Sequence, residues 1–186
     1  MTTALFQSRH DPKRSMETAL ELCAQRGASS ASEFERILEP MAFAKTMAAE
    51  ALRHCRLLTG FALIRVGLDW TEEPSGEPWD ATRAILSKVV VDELRAADSI
   101  GRVTGEEIAI LCPQTTLLGA ARIAQRILSE LRQEGRDGLK YTASVGLADT
   151  DDVRGIDLLM LWDAAGEELA RARQAGGNRI GGSWHE

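Results

Sequence analysis

An apolar run from Phe61 to Leu68, broken by the single charge of Arg65, is the segment around which the rest of this chain must pack. Strands of this composition lie at the centre of a sheet and are buried on both faces. The chain must therefore supply apolar helices for two layers. Segments with helical periodicity provide them at about residues 41–57, 80–97, 117–134 and 157–174.

Two short apolar segments, Ser99–Val103 and Ile108–Cys112, enclose a polar turn that contains Gly105, Glu106 and Glu107. This spacing predicts a β-hairpin. Together with the central strand, an alternating segment at 139–148 and the intervening helices, it gives the order β-α-β-β-α-β. The predicted fold class is therefore α/β of the α+β type, with a mixed, mostly antiparallel central sheet and helices on its faces.

The length of 186 residues allows one domain with a small addition. Residues 1–31 are expected to form an N-terminal helical appendage or linker, because a polar start precedes one short helical stretch, Ser15–Arg26, and a run of small residues. Residues 32–182 form the predicted domain, and 183–186 a tail. Within the domain, Ser32 with Glu35 has the capping-box pattern, so a helical region is expected there, interrupted at Pro40.

Charge and composition exclude several classes of function. A net charge of −6 argues against broad binding of DNA or RNA, which requires a basic face. The three cysteines and three histidines show no disulfide or metal-ligand spacing. No apolar stretch is long enough to span a membrane, and the first ten residues lack the apolar core of a signal peptide, so a cytoplasmic protein is expected.

Three motifs, in the right order and spacing, resemble those of the GGDEF family of diguanylate cyclases, which are bacterial signalling domains. Thr104–Ile108 stands where the family has Gly-Gly-Asp/Glu-Glu-Phe, Thr142–Gly146 is similar to its Thr-x-Ser-x-Gly strand, and Ala172–Asn178 is similar to its terminal Ala-Lys-x-x-Gly-Arg-Asn. The resemblance covers roughly residues 32–182. It implies a fold related to nucleotide cyclases and polymerase palms.

The resemblance also implies a degenerate catalytic centre. Family members use two carboxylates to hold metal ions that neutralise the GTP phosphates. Glu106 stands at one of these positions, but Gly67 stands at the other, and Asp69 two residues on matches a neighbouring family aspartate. Thr104 replaces a glycine where phosphate approaches the backbone. Glu106 and Glu107 are thus expected to be vestigial, with Glu106 the sole candidate metal ligand and Mg²⁺ required only for residual cyclase activity.

Three further residues are expected to be remnants of nucleotide binding. Asp80 matches a guanine-reading residue of the family, although a role as N-cap of the helix that runs to about Ala97 explains it equally well. Gly105 is the remaining glycine of the turn. Arg173 corresponds to the family's phosphate-binding lysine, while Gly177 replaces its arginine.

A regulatory site is implied by Arg95-Ala-Ala-Asp98, which lies five residues before the turn and is similar to the family's R-x-x-D inhibitory site for cyclic di-GMP. An arginine fork can donate to guanine O6 and N7, and a carboxylate can accept from its donor edge. Arg126 matches an arginine that family members add to this site from a neighbouring domain. The alternatives are an ordinary ion pair at a helix end for Arg95 and Asp98, and a solvated helix face for Arg122 and Arg126.

Three functions follow from these residues. The leading hypothesis is a catalytically inactive cyclic di-GMP receptor that signals to an unknown partner protein, with a homodimer possible and no nucleic acid or membrane as partner. The second is a weakly active diguanylate cyclase that uses Glu106, Glu107 and Asp80. The third is a nucleotide-free scaffold that makes its contacts through residues 1–30.

Overall fold

The computed structural model describes residues 36–70, 77–134, 141–150 and 157–182, with the backbone alone for residues 77–81 and 134. Its elements, in chain order, are β1 (Ile37–Leu38), α1 (Pro40–Leu57), β2 (Phe61–Trp70), α2 (Glu77–Asp92), β3 (Ser99–Arg102), β4 (Glu107–Pro113), α3 (Leu117–Glu134), β5 (Tyr141–Asp149) and α4 (Leu158–Gln174).

The strands form one sheet in the order β1-β3-β4-β2-β5. β2 is paired antiparallel with β4 on one side and with β5 on the other, and the hairpin partner β3 extends the sheet beyond β4. Among the five described strands, only the short β1 runs parallel to its neighbour, which is β3. The predicted mixed, mostly antiparallel sheet is confirmed, and the apolar run at Phe61 is its interior strand.

Each face of the sheet carries its own apolar layer, because successive side chains of a strand point to opposite faces. Ile64 and Val66 of β2 pack with α2 and α3 on one face. Phe61 and Leu63 pack with α1 and α4 on the other. Two glycines allow close approach on this second face: a Cβ at Gly146 would overlap the backbone of α4, and one at Gly101 would overlap the ring of Phe43.

The bounds of α2 correct two sequence expectations. The helix begins at Glu77, so Asp80 lies inside its first turn, and the prediction that Asp80 is the N-cap was wrong. Pro78 allows the earlier start, since the first turn does not need its amide. The helix also ends at Asp92, before the predicted Ala97, because the Arg36 guanidinium binds Val91 O and a separate turn follows.

Other helix bounds agree with the sequence. α3 spans the predicted residues, and α4 begins after Asp157, whose Oδ1 accepts from the amide of Leu159 at 3.0 Å as a helix N-cap. Gly176 and Gly177 both adopt a positive φ after α4, as expected for a helix C-terminus. Before Pro40, residues 37–38 form a strand and not a helix; the predicted helix Ser15–Arg26 lies outside the described residues.

Within the described ranges, none of the helices combines the length and the apolar character that a bilayer crossing requires.

Candidate functional site

The acidic hairpin turn between β3 and β4 is closed by its own hydrogen bonds. The amides of Val103 and Thr104 both donate to Glu107 O, at 3.0 and 3.2 Å. The hydroxyl of Thr104 accepts from the amide of Glu106 at 3.1 Å, and Gly105 lies between them without a positive φ. The Thr104 side chain therefore occupies a backbone donor that a glycine at this position would leave available to a ligand.

Glu107 is part of a buried ion pair. Its Oε1 accepts from Nε of Arg65, and the two side chains are 10% and 15% exposed. The Arg65 guanidinium also donates to Trp162 O at 3.3 Å and lies 4.6 Å from the centre of the Trp162 ring. Arg65 thus connects Glu107 of the hairpin to Trp162 of α4. The charge of Arg65 inside the apolar strand β2 is paired with that of Glu107.

The Arg173 guanidinium occupies the space into which a side chain at Gly67 would extend. A Cβ added to Gly67 would overlap Nη2 of Arg173 and lie 3.0 Å from its Cζ. Nη2 donates to Leu68 O at 3.1 Å, and Nε donates to Asp69 Oδ1 at 3.3 Å. Gly67 pairs with Glu107 across the sheet, so the cation lies beside the acidic hairpin. Arg173, which the sequence predicted to be a remnant of the family's phosphate-binding lysine, instead donates hydrogen bonds to β2.

Asp69 holds the C-terminal turn on the sheet. Its Oδ2 accepts from the hydroxyls of Thr142 at 3.2 Å and Ser144 at 2.7 Å, and from the amide of Asn178 at 3.0 Å. The ion pair with Arg173 occupies Oδ1. Both oxygens of this carboxylate are therefore used inside the protein.

The residues at the hairpin do not fit the Mg²⁺ that the family resemblance implied. Divalent cations of this kind need several oxygen ligands, among them carboxylates. Gly67 offers none, both oxygens of Asp69 already accept hydrogen bonds, and the Arg173 guanidinium places a positive charge beside them. Over the described part of the chain, no group of three or more His, Cys, Asp or Glu side chains is arranged to hold a metal.

The residues Arg95 to Asp98 form a turn of their own between α2 and β3. The Asp98 amide donates to Arg95 O at 3.2 Å, and Asp98 Oδ2 accepts from the Arg95 amide at 3.0 Å. Arg36 Nη2 fixes Arg95 O from outside the turn, at 3.1 Å. Asp98 is 7% exposed, and its Oδ1 is buried without a hydrogen-bond partner among the described residues. The sequence is thus a side-chain-closed turn and not the end of a helix.

The side chain of Arg95 projects from this turn and is exposed. Within the described ranges, its guanidinium makes neither a hydrogen bond nor an ion pair, although its backbone is fixed on both sides. It borders a groove of about 440 Å³ between α1 and the end of β4. Other residues lining this groove are Thr46, Glu50, Arg53, Ser99 and Leu111.

A buried thiol lies beneath the same turn. Burial raises the pKa of the Cys112 thiol, the nearby Asp98 carboxylate raises it further, and the Arg95 guanidinium lowers it. Cys112 is completely buried, whereas Cys55 on α1 is exposed. Cys112 is therefore a small buried apolar group, and the two charges of the turn lie close to it.

Arg126 is hydrogen-bonded to Glu93. Its Nε and Nη2 donate to the Glu93 carboxylate and carbonyl at 2.6 and 2.9 Å. Glu93 immediately follows α2, so Arg126 is attached to the segment that leads to Arg95, but it is not among the residues that line the groove.

Apart from Arg126, the structure separates the sequence candidates into three places. Gly105, Glu106, Glu107 and Arg173 lie around the hairpin and β2, and Arg95 and Asp98 form the turn at the groove. Asp80 belongs to the first turn of α2, and its side chain is outside the described set. Sequence reasoning missed Glu50 and Arg53; their spacing of three residues on a helix was the available signal.

A family model described as "Diguanylate cyclase, GGDEF domain" matches residues 83–179, slightly more than half of the chain. This match includes the hairpin turn, the Arg95 turn and most of the C-terminal turn that Asp69 holds.

Solved structures have the same fold. Diguanylate cyclase SiaD from Pseudomonas aeruginosa, solved in complex with its activator SiaC, is 23% identical with a TM-score of 0.67; the match covers 90% of this chain and 65% of that one. The active GGEEF domain of a diguanylate cyclase from Vibrio cholerae is 18% identical (TM-score 0.71, covering 82% and 100%). The GGDEF domain of DgcB from Caulobacter crescentus, in complex with c-di-GMP, is 16% identical (TM-score 0.67, covering 84% and 97%). This chain thus spans about two thirds of SiaD.

Proposed function

This chain belongs to the GGDEF family of diguanylate cyclase domains, and from that premise we propose that it is a catalytically inactive member that binds cyclic di-GMP beside Arg95. The bound state would then signal to a partner protein. The observation that carries the proposal is the contrast between two sites: the hairpin uses its polar groups internally, whereas Arg95 presents an unpaired guanidinium to a groove.

The chemistry of Arg95 suits a guanine base. A guanidinium donates in a fixed fork that matches the acceptors O6 and N7 of guanine. Its positive charge also suits the phosphates of a cyclic dinucleotide. The groove volume of about 440 Å³ lies within the usual range of small-molecule sites, about 300–1,000 Å³. Because the Arg95 backbone is fixed by Arg36 and Asp98, little conformational freedom of the main chain is lost on binding.

Asp98 contributes to the proposed site in two ways. Oδ2 closes the turn that presents Arg95. The buried Oδ1 has no partner among the described residues, and a ligand N–H that reached it would remove the cost of an unsatisfied acceptor. Arg126 can join the site only by leaving Glu93, so its predicted role requires exchange of one ion pair for another.

The arrangement of side chains at the hairpin supports the proposed absence of cyclase activity. A cyclase of this family must place two carboxylates on metal ions, and here Arg173 fills the space beside Gly67 while Asp69 is saturated. The Glu106 amide is closed by Thr104. Glu106 and Glu107 are accordingly proposed to be structural remnants.

A protein partner is supported by the exposed apolar residues of α1 and the residue that follows it. Met41, Leu52 and Leu57 are 54–63% exposed, and Leu58 is 84% exposed. Exposed apolar side chains such as these are available for contact with another protein. A partner protein or a second copy of the chain would cover this surface, and the cytoplasmic location predicted from the sequence stays part of the proposal.

Isothermal titration calorimetry with cyclic di-GMP tests the proposal. The unmodified protein should bind, and Arg95→Ala should weaken binding by about 100-fold, the loss expected for charge-assisted hydrogen bonds. Arg56→Ala, which removes an exposed arginine of α1 outside the groove, serves as the matched control and should bind normally. An unmodified protein that releases no heat and gains no thermal stability with cyclic di-GMP would contradict the proposal and favour the nucleotide-free scaffold.

A further inference from the structure

Glu50 is a second polar residue of the groove whose burial has no structural explanation. It lies on α1 across the groove from the Arg95 turn and is only 6% exposed. Its Oε2 is 3.4 Å from Nε of Arg53, one turn further along the helix. Its Oε1 is buried and has no hydrogen-bond partner among the described residues.

Protein stability alone does not favour this arrangement. A buried carboxylate oxygen without a donor costs free energy, and a single long contact with an exposed arginine compensates little. Neighbouring positions of the same helix face, Phe43, Met47 and Ala51, are apolar and buried. An apolar residue or glutamine at position 50 would fit the same place at lower cost. Such unsatisfied groups in folded proteins need an explanation, such as a bound water, ion or ligand.

The charges around the groove limit what that partner can be. A carboxylate can only accept, so the partner must donate N–H or O–H groups to Oε1. Arg53 and Arg95 also line the groove and repel a metal ion or an amine. The partner must therefore be a neutral donor that also carries acceptors or negative charge for the two guanidinium groups. A guanine nucleotide has this combination: N1–H and N2–H donors on one edge, O6 and N7 acceptors on the other, and phosphates.

We propose that Glu50 accepts hydrogen bonds from the donor edge of a guanine base bound in this groove, and thereby makes the groove selective for guanine over adenine. Adenine lacks the N1–H, and its acceptor N1 faces the carboxylate instead. This inference rests on the proposed function and assigns the base specificity of the same groove to a residue of α1. Asp98 Oδ2 closes its own turn and Asp98 is not among the residues lining the groove, so its buried Oδ1 could reach the ligand only if the turn moved.

Calorimetric titration with cyclic di-GMP and cyclic di-AMP tests this assignment. The unmodified protein should prefer the guanine ligand. Glu50→Gln keeps the size of the side chain and should lower the affinity for cyclic di-GMP by about ten- to a hundredfold, because it replaces a charged acceptor with an amide. The affinity for cyclic di-AMP should stay the same or rise, because the amide no longer repels adenine N1 and can donate to it, so the ratio of the two affinities should fall. A merely structural role of Glu50 would lower both affinities together.

Glu39→Gln is the matched control, since Glu39 precedes α1, is exposed and lies outside the groove. Thermal denaturation of each variant confirms that it folds, and Glu50→Asp provides a second variant that keeps the charge but withdraws it from the groove. An unchanged ratio in Glu50→Gln, in a protein that binds cyclic di-GMP, would overturn this inference alone. Failure of the unmodified protein to bind either ligand would overturn the proposed function with it.

Discussion

The guanidinium of Arg173 and the backbone of Gly67 exclude a side chain between them, because a Cβ at Gly67 would overlap Nη2. The same guanidinium donates to Leu68 O and Asp69 Oδ1, so it connects the end of α4 to β2. A positive group that belongs to the protein thus stands beside the acidic hairpin, at the strand position where active relatives are expected to carry a carboxylate. The absence of a side chain at Gly67 and the position of the Arg173 guanidinium are thus two parts of one arrangement.

Gly67→Ala should destabilise the protein, because the added methyl displaces the Arg173 guanidinium from its hydrogen bonds. The far end of this partly exposed side chain can move aside, so the cost should be about 1 kcal/mol in the free energy of unfolding, the net value of the hydrogen bonds that it loses. The cost should be smaller when Arg173→Ala is already present, which a double-mutant cycle in urea measures as a coupling energy. Strictly additive effects would show that the two residues do not share this space.

Asp69→Ala should be among the more destabilising substitutions at the hairpin side of the sheet. It removes an acceptor from Thr142, Ser144, Arg173 and the amide of Asn178, and leaves the buried Ser144 hydroxyl without its partner. We expect a loss on the order of 3 kcal/mol in the free energy of unfolding. Asp92→Ala, which breaks an exposed pair with Lys88, should cost less than about 0.5 kcal/mol in the same urea titration.

Thr104→Val should open the hairpin turn locally. Valine has the shape of threonine but cannot accept from the Glu106 amide, so we expect a loss of about 1 kcal/mol in unfolding free energy. Hydrogen exchange at the Glu106 amide, followed by NMR, should accelerate by roughly the same free energy. Thr104→Ser keeps the hydroxyl and should retain slow exchange; equally fast exchange in both variants would contradict the assigned hydrogen bond.

The protein should form no cyclic di-GMP from GTP, with Mg²⁺ or with Mn²⁺ as the metal. The reason is that the hairpin offers Glu106 alone, since Gly67 has no side chain and Asp69 is saturated. Mass spectrometry of the reaction mixture is the measurement, with an active diguanylate cyclase as the positive control. Product formation that disappears in Glu106→Gln would establish the weakly active cyclase instead.

The two described cysteines should differ sharply in reactivity. In a Cys23→Ser background, iodoacetamide at pH 8 should modify the exposed Cys55 and leave Cys112 unmodified, because burial raises the pKa of the Cys112 thiol and blocks access. The same raised pKa has a consequence for stability. Above the ordinary cysteine pKa of about 8.5, the unfolded chain loses this proton while the folded protein keeps it, so the free energy of unfolding should fall as pH rises.

Cys112→Ser serves as the control for that pH dependence, since it removes the titrating thiol. A slope of unfolding free energy against pH that is the same in both proteins between pH 8 and 10 would contradict the assignment to Cys112.

Sequence periodicity predicted most of the helices and strands of the domain. The run at Phe61, the hairpin around Thr104 and the long helix from Leu117 were predicted, and each was confirmed to within one or two residues. The ends of α2 were not, because competing local interactions set them. Pro78 permits the early start, and the Asp98 carboxylate closes a separate turn that no helical pattern reveals.

The identities of the site residues likewise came from the sequence, and their partners did not. The sequence alone determined that a glycine stands at 67, that an arginine stands at 173 and that Arg95 and Asp98 precede the hairpin. Tertiary structure decided what these residues do, since Arg173 and Gly67 lie far apart in the chain and meet only when α4 packs on β2. Hydrogen bonds and burial depend on such distant contacts, so the hydrogen-bonded Asp69 and the buried Glu50 exist only in the folded chain.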